Sequence, residues 1–392
     1  MEWQAHPDRN IKMKTALLIW EMGGGLGHLV NLKRRAANLE ADGFSVKYAL
    51  KDIKYVDKRA FFDCNPSNIL DVPLIPAIQS VPGNALNFSD LLYRNGYTDT
   101  SKLTNAANEY KRLIDRVAPD HIVLDFSPLA QVVAKDYNVS KEITGSPFTV
   151  PCVNNTPGSV YAFPLYFPST DLKGLHKIER DLTDTLNTVT NRNETLKELF
   201  TENVLAKERI LVIPELDFFH KFRPNANYQW DYDSTINSNE SKESFVFGYL
   251  KNLGFVNELI EALSIKDPQT QFLFYINNFT LQKKLPNVEI INKTLNPKEY
   301  IEAIRQSKYV ITNGSGIINL DALLSGKPIL SYPLHLENLL NASMAVFNTA
   351  GGIITYKETF NRDIDDFYTR LNEFVHGASL IQTKYNTKGK IL

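Results

Sequence analysis

The chain has 392 residues, too many for one ordinary hydrophobic core and about right for two α/β domains. Hydrophobic residues make up 43% and charged residues 22%, the balance of a globular protein, which excludes a disordered one. A formal net charge of -1 excludes a global field that would draw the chain to nucleic acid or an anionic membrane, although Lys33, Arg34 and Arg35 form a local basic run.

Residues 1–12 are polar, include Asp8, and read as a flexible N-terminus without a secretory signal. The next apolar run, Ala16–Trp20, is far shorter than the roughly 20 residues of a membrane span. Cys64 and Cys152 have neither metal nor disulfide spacing and read as small hydrophobes in a reducing compartment. The expected location is the cytoplasm, with no membrane span and no nucleic acid partner.

Short apolar runs alternate with amphipathic stretches, the pattern of βαβ units and parallel sheets. Thr15–Trp20 predicts a strand, followed by a glycine-rich turn and a helix over Leu29–Ala41. Phe44–Leu50, Asn68–Val72 and His121–Asp125 read as strands, and Arg209–Ile213 as a late strand of the same sheet. Between them Leu103, Ala106, Ala107, Tyr110, Leu113, Ile114 and Val117 recur at helical spacing. The rhythm breaks over residues 225–243, rich in Asn, Ser, Asp and Glu, which read as a linker. A second series follows: strands at Phe245–Leu250, Gln271–Ile276, Val288–Ile291, Tyr309–Thr312 and Ile329–Tyr332, and helices at Val256–Ser264, Pro297–Ser307, Ile318–Ser325 and Asn338–Ala350. The expected domains are 13–224 and 244–392, each Rossmann-like and doubly wound in an α/β fold, with an interdomain cleft for ligands.

In the second half, a strand runs into Asn313-Gly314-Ser315-Gly316 and then into a helix. Glycines there leave backbone N–H groups open at a helix N-terminus, an anion site suited to phosphates. Asp321, one to two turns into the helix, is placed to accept hydrogen bonds from sugar hydroxyls. Gly326-Lys327-Pro328 stops the helix, and His335, Glu337 and Asn338 follow the next strand. The plainer reading of Gly314 and Gly316 is a tight strand-to-helix turn.

This segment resembles glycosyltransferases of the GT-B type, the UDP-glycosyltransferases and the bacterial lipid-II-forming N-acetylglucosaminyltransferase. Their pattern is close to His-Gly-Gly-x-Gly-Thr-x-x-Glu-Ala-Leu, then Gly-x-Pro, then Pro-x-x-x-Asp-Gln-x-x-Asn-Ala. Asn313 to Leu323 falls on the first block, Gly326-Lys327-Pro328 on the second, and Pro333 through Glu337-Asn338 to Asn341-Ala342 on the third; Gly351-Gly352 matches a later glycine pair. The resemblance implies that Asn313, Gly314, Ser315, Gly316, Ile317 and Ile318 face a donor diphosphate, that Asp321 holds the ribose, and that Glu337 and Asn338 hold the sugar. Asn313 stands where many relatives have His, and Ile318 where they have Thr or Ser, so two side-chain phosphate contacts are missing.

The first loop, Glu21-Met22-Gly23-Gly24-Gly25-Leu26-Gly27-His28, has four glycines in five positions. Gly23, Gly24, Gly25 and Gly27 permit close approach of backbone to an acceptor or its phosphate. The spacing is neither a dinucleotide fingerprint nor a P-loop. His28 is the best general-base candidate because imidazole titrates near neutrality, while Glu21 is expected to be ionised and Lys33 protonated. In the UDP-glycosyltransferases a His ending this loop deprotonates the acceptor and is oriented by an Asp at the end of a later strand. The resemblance puts Asp125 in that role; a cap on the Phe126-Ser127-Pro128 turn is the other reading of Asp125.

Asp231-Tyr232-Asp233 imitates an Asp-x-Asp metal motif but lies in the polar linker, and no His/Cys cluster has metal spacing, so no metal is expected. The expected activity is hexosyl transfer from a nucleotide diphosphate sugar, a UDP-sugar, to an unidentified acceptor, inverting and metal-independent, with the nucleotide sugar as co-substrate and no cofactor. Two other readings stay open: a nucleotide-sugar epimerase on the same fold, and a non-catalytic nucleotide-sugar-binding protein.

Overall fold

A computed structural model describes residues 13–24, 26–52, 57–77, 83–152, 160–164, 172–200, 206–223, 226–230, 245–292 and 295–386. The expected flexible N-terminus, most of the expected linker, Gly25 and the Asp231-Asp233 pair lie outside them. The chain divides into two compact units, Met1–Ile210 and Leu211–Leu392.

The first unit runs β1 (Lys14–Trp20), α1 (Leu26–Ala41), β2 (Phe44–Leu50), α2 (Lys58–Phe62), β3 (Ile69–Asp71), α3 (Phe88–Arg94), α4 (Thr100–Val117), β4 (His121–Asp125), α5 (Pro128–Ala134), β5 (Ser140–Gly145), α6 (Leu172–Thr190), α7 (Leu196–Phe200) and β6 (Ala206–Ile210). Its strands form one parallel sheet in the order β3-β2-β1-β4-β5-β6. The apolar run Ala16–Trp20 of β1 and all of β4 are buried, as expected for central strands covered on both faces. Helix α4 starts at an Asp99 side-chain cap, buries the predicted apolar face, and stops at Ala118 with φ +45°.

Two strands differ from expectation. The last strand is Ala206–Ile210, three residues ahead of the predicted Arg209–Ile213, whose Val212 and Ile213 are buried beyond the strand. The strand β5, Ser-Lys-Glu-Ile-Thr-Gly, has no apolar run, because two of its buried residues are charged. Glu142 lies between Arg35 of α1 (2.9 Å) and Arg209 of β6 (3.0 Å), and Lys141 donates to Val139 O (3.1 Å) and to Tyr137 O (2.5 Å).

The second unit continues β7 (Phe245–Leu250), α8 (Val256–Lys266), β8 (Gln271–Ile276), β9 (Val288–Ile291), α9 (Pro297–Gln306), β10 (Ser307–Thr312), α10 (Gly316–Leu324), β11 (Ile329–Ser331), α11 (Leu336–Phe347), β12 (Gly351–Ile353), α12 (Phe360–Thr369) and α13 (Leu371–Asn386). Its sheet is parallel in the order β12-β11-β10-β7-β8-β9, the same winding read within this unit as in the first. Its core packs Phe272, Phe274, Tyr309, Phe367 and Phe374 with aliphatic residues of α8. Helix α9 carries a full capping box between Asn296 and Glu299.

The segment after β6 belongs with this second unit. The Glu215 carboxylate accepts from the Lys384 ammonium and the Tyr385 hydroxyl of α13, and Asn348 donates to Glu215 O at 2.7 Å. Trp230 packs edge-on against Tyr385.

Candidate active site

In each sheet the strand order reverses at one pair of neighbours, and the space beyond their C-terminal ends is where open α/β sheets bind ligands. In the first unit the pair is β1 and β4, with Trp20 opposite Asp125. The loop after β1 delivers His28 in the first turn of α1, and β4 ends on Asp125, so residues 97 apart in sequence meet: His28 Nδ1 is 2.8 Å from Asp125 Oδ1. Asp125 is fully buried, and the tautomer in which Nδ1 donates to its carboxylate leaves the lone pair on Nε2. The plainer reading of Asp125 as a turn cap does not describe this side chain.

The imidazole is held between two aromatic rings, Trp20 at 5.2 Å and Phe126 at 6.0 Å, both inclined at 21° to it. Phe126 has φ +45°, a conformation that costs a bulky residue about 1–3 kcal/mol and persists only where surrounding contacts enforce it. Two such contacts flank it: Met22 N donates to Phe126 O at 3.0 Å, and Ser127 Oγ lies 2.9 Å from both Ile19 O and Asp125 O.

Glu21 is built into the fold beneath this loop. Its carboxylate is buried, accepts from Tyr97 Oη and Ala130 N (3.1 Å), and sits at the N-terminus of α5. Burial pushes its pKa up, outweighing the hydrogen bonds that favour the charge. Glu21 therefore ties the β1 loop to α5.

Gly23 has φ +89° and faces His28; a Cβ there would lie 2.7 Å from Nε2. Gly24 is exposed with open space where its Cβ would be, and Gly27 lies half-buried in α1. Lys51, at the end of β2, donates from its ammonium to Gly23 O at 3.0 Å.

In the second unit the reversal lies between β7 and β10. Asn313 follows β10 and is buried; its Oδ1 accepts from Lys251 N at 2.6 Å and its Nδ2 donates to Tyr332 O at 2.8 Å. The side chain thus joins the ends of β7, β10 and β11. Gly314 has φ +79°, and a Cβ there would lie 2.3 Å from Asn338 O, so only glycine lets the turn pass beside α11. Helix α10 then begins with Ser315 as N-cap and no side-chain cap bond. Ser315, Gly316 and Ile317 are partly exposed, while Ile318 is buried.

Asp321 is 3% exposed and accepts from Tyr300 Oη at 3.2 Å. Tyr300 packs edge-on against Tyr249, which stacks on Tyr275 at 5.0 Å. Glu337 is half-buried in the first turn of α11. The Asn338 amide lies over the Gly314 turn, Nδ2 3.4 Å from Gly314 O, and its Oδ1 is buried without a partner among the described residues. Asn341 Nδ2 reaches the same carbonyl at 3.2 Å. Trp20, Phe126 and Tyr300 are the residues of these sites that sequence reasoning missed as supports; none carries a motif of its own, and only the fold brings them in, whereas Asn341 lies in the third motif block.

No protein-family model matches the chain, and no curated protein matches its sequence. Solved structures do match nearly end to end. The calicheamicin glycosyltransferase CalG4 aligns with a TM-score of 0.66 at 14% identity over 97% of this chain and 96% of that one. The spinosyn rhamnosyltransferase SpnG aligns at 0.64 and 15%, over 95% and 96%. UGT2 of Phytolacca americana, solved with UDP-2fluoro-glucose and pterostilbene, aligns at 0.60 and 13%, over 97% and 96%. The chain has the GT-B glycosyltransferase fold: two α/β units, each built on a parallel sheet. Among the described residues no helix is long and apolar enough to cross a membrane, and no three His, Cys, Asp or Glu side chains are grouped to hold a metal ion.

Proposed function

We propose that the protein is a glycosyltransferase that moves a hexosyl group from a nucleoside diphosphate sugar to a hydroxyl acceptor, with inversion and without a metal. The observation that carries this is the His28–Asp125 pair at the strand reversal of the first unit. With Nδ1–H committed to Asp125, Nε2 accepts the acceptor's proton as its oxygen attacks the anomeric carbon. The bond from that carbon to the β-phosphate oxygen breaks, and the buried Asp125 charge stabilises the imidazolium that forms. The open N–H groups at the start of α10 receive the departing diphosphate. Asp321 is assigned to the ribose, and Glu337 and Asn338 to the sugar hydroxyls; the orphaned Asn338 Oδ1 is an acceptor, the polarity a hydroxyl needs.

The donor is assigned as a UDP-sugar. UGT2 was solved with UDP-2fluoro-glucose and SpnG with thymidine diphosphate, so both bases belong in the test. Purified protein is titrated with UDP and TDP, then incubated with their sugars and a panel of hydroxyl acceptors, and nucleoside diphosphate release is measured with and without EDTA. Release unchanged by EDTA is expected, and failure to bind any nucleoside diphosphate overturns the reading. Tight binding without release favours a second reading, a nucleotide-sugar-binding protein, which the occupied Asn313 amide and the apolar Ile318 favour.

A further inference from the structure

The geometry points to a further donor-binding residue: we propose that the ammonium group of Lys251 neutralises the diphosphate of the nucleotide sugar. The assignment rests on the donor site proposed above and names the cation that site uses.

Lys251 is the first residue after β7, the strand beside β10 at the reversal of the second sheet. Its backbone N–H donates to Asn313 Oδ1 at 2.6 Å, which fixes its Cα next to the Gly314 turn. The side chain is exposed and has no carboxylate partner among the described residues, whereas Lys266, Lys283, Lys357 and Lys384 of the same unit each sit against one.

Three neighbouring strands, β7, β10 and β11, lead into α8, α10 and α11. Their N-caps Phe255, Ser315 and His335 make no side-chain cap bond, whereas α9, which follows the edge strand β9, is fully capped. Beside them the Asn338 amide, 7% exposed, lies over the Gly314 turn with Oδ1 unpartnered. That orphan acceptor suits a ligand hydroxyl, and the open helix ends suit an anion: together they describe a sugar bearing phosphate.

Such a ligand brings more charge than helix ends balance, since each offers only about half an elementary charge. Neither Asn313, whose amide is bonded on both sides, nor the buried, apolar Ile318 supplies a cation. Lys251 does. Its field already reaches the start of α11, where burial first and the Lys251 charge second hold the His335 imidazole below its ordinary range. As the sugar leaves, negative charge grows on the diphosphate, and the ammonium counters it.

Calorimetric titration of the full chain and of Lys251→Gln and Lys251→Arg with UDP, UMP and uridine tests the assignment, with TDP run in parallel. Lys251→Gln is expected to lose diphosphate affinity about tenfold, with a smaller loss for UMP and none for uridine, and Lys251→Arg to stay near wild type. The salt dependence of diphosphate binding should flatten in Lys251→Gln. The replaced side chain is exposed and the backbone bond to Asn313 survives, so all three proteins should melt alike. Diphosphate affinity equal to wild type in Lys251→Gln, or an equal loss for uridine, overturns the assignment and leaves the donor site standing. Wild-type protein that binds no nucleoside diphosphate overturns the donor site itself.

Discussion

A Cβ added to Gly23 would stand 2.7 Å from Nε2 of His28, so the space glycine leaves empty lies at hydrogen-bonding distance from the proposed base. Gly23→Ala fills it and forces an L side chain to φ +89°. The expected result is turnover lowered by at least about tenfold and stability lowered by roughly 1–2 kcal/mol, with diphosphate affinity unchanged. Kinetics alongside denaturant melts check it. An active Gly23→Ala would mean that the acceptor approaches His28 from another side.

His28→Ala should lower turnover about 10²–10⁴-fold with donor binding nearly intact, the usual range for loss of a general base. Asp125→Asn should cost less, because the aromatic rings of Trp20 and Phe126 still hold the imidazole in plane. The measurement is steady-state sugar transfer beside nucleotide affinity. Wild-type turnover in His28→Ala would show that the acceptor needs no base.

Asp321→Ala should weaken donor binding by about 1.5–3 kcal/mol through lost charge-assisted hydrogen bonds. Tyr300→Phe should weaken it less, since it removes only the hydroxyl that points at Asp321. Calorimetry on folded variants decides, and unchanged affinity in Asp321→Ala removes that residue from the site.

Glu21 supplies a pH signature. Its carboxyl is held above its ordinary 4.5 by burial, so between 4.5 and the raised value the folded protein binds more protons than the unfolded chain. Stability therefore falls as pH rises through that window, and the penalty is complete above it. Glu21→Gln cannot titrate, so the melting temperature of the variant should gain on wild type as pH climbs from about 4.5. A difference independent of pH would show that folding does not shift the titration of Glu21.

Much of this was legible in sequence. Short runs dominated by apolar residues mark strands, so Phe44–Leu50, His121–Asp125, Phe245–Leu250 and Gln271–Ile276 were found at their observed bounds. The strand β5 was not legible because its core is ionic: Glu142 becomes buriable only when Arg35 and Arg209 arrive from elsewhere. The partners of Glu21 and Asn313 were hidden for the same reason. The Glu21 carboxylate meets Ala130 N of α5, and the Asn313 amide meets Lys251 N and Tyr332 O, all contacts between residues far apart in sequence. The His28–Asp125 pair lay between these extremes, since local residues suggest the base but only the strand order explains why the acid is beside it.

The attachment of Glu215 to the last helix has a practical consequence for exchanging halves between relatives. The polar stretch around residues 225–243 is the obvious place to cut, yet a graft made there would draw Glu215 from one parent and its partners Lys384, Tyr385 and Asn348 from the other. A junction after Ile210 keeps every strand of the first sheet on one side and the Glu215 anchor on the other. Chimeras joined there should keep the internal contacts of both units.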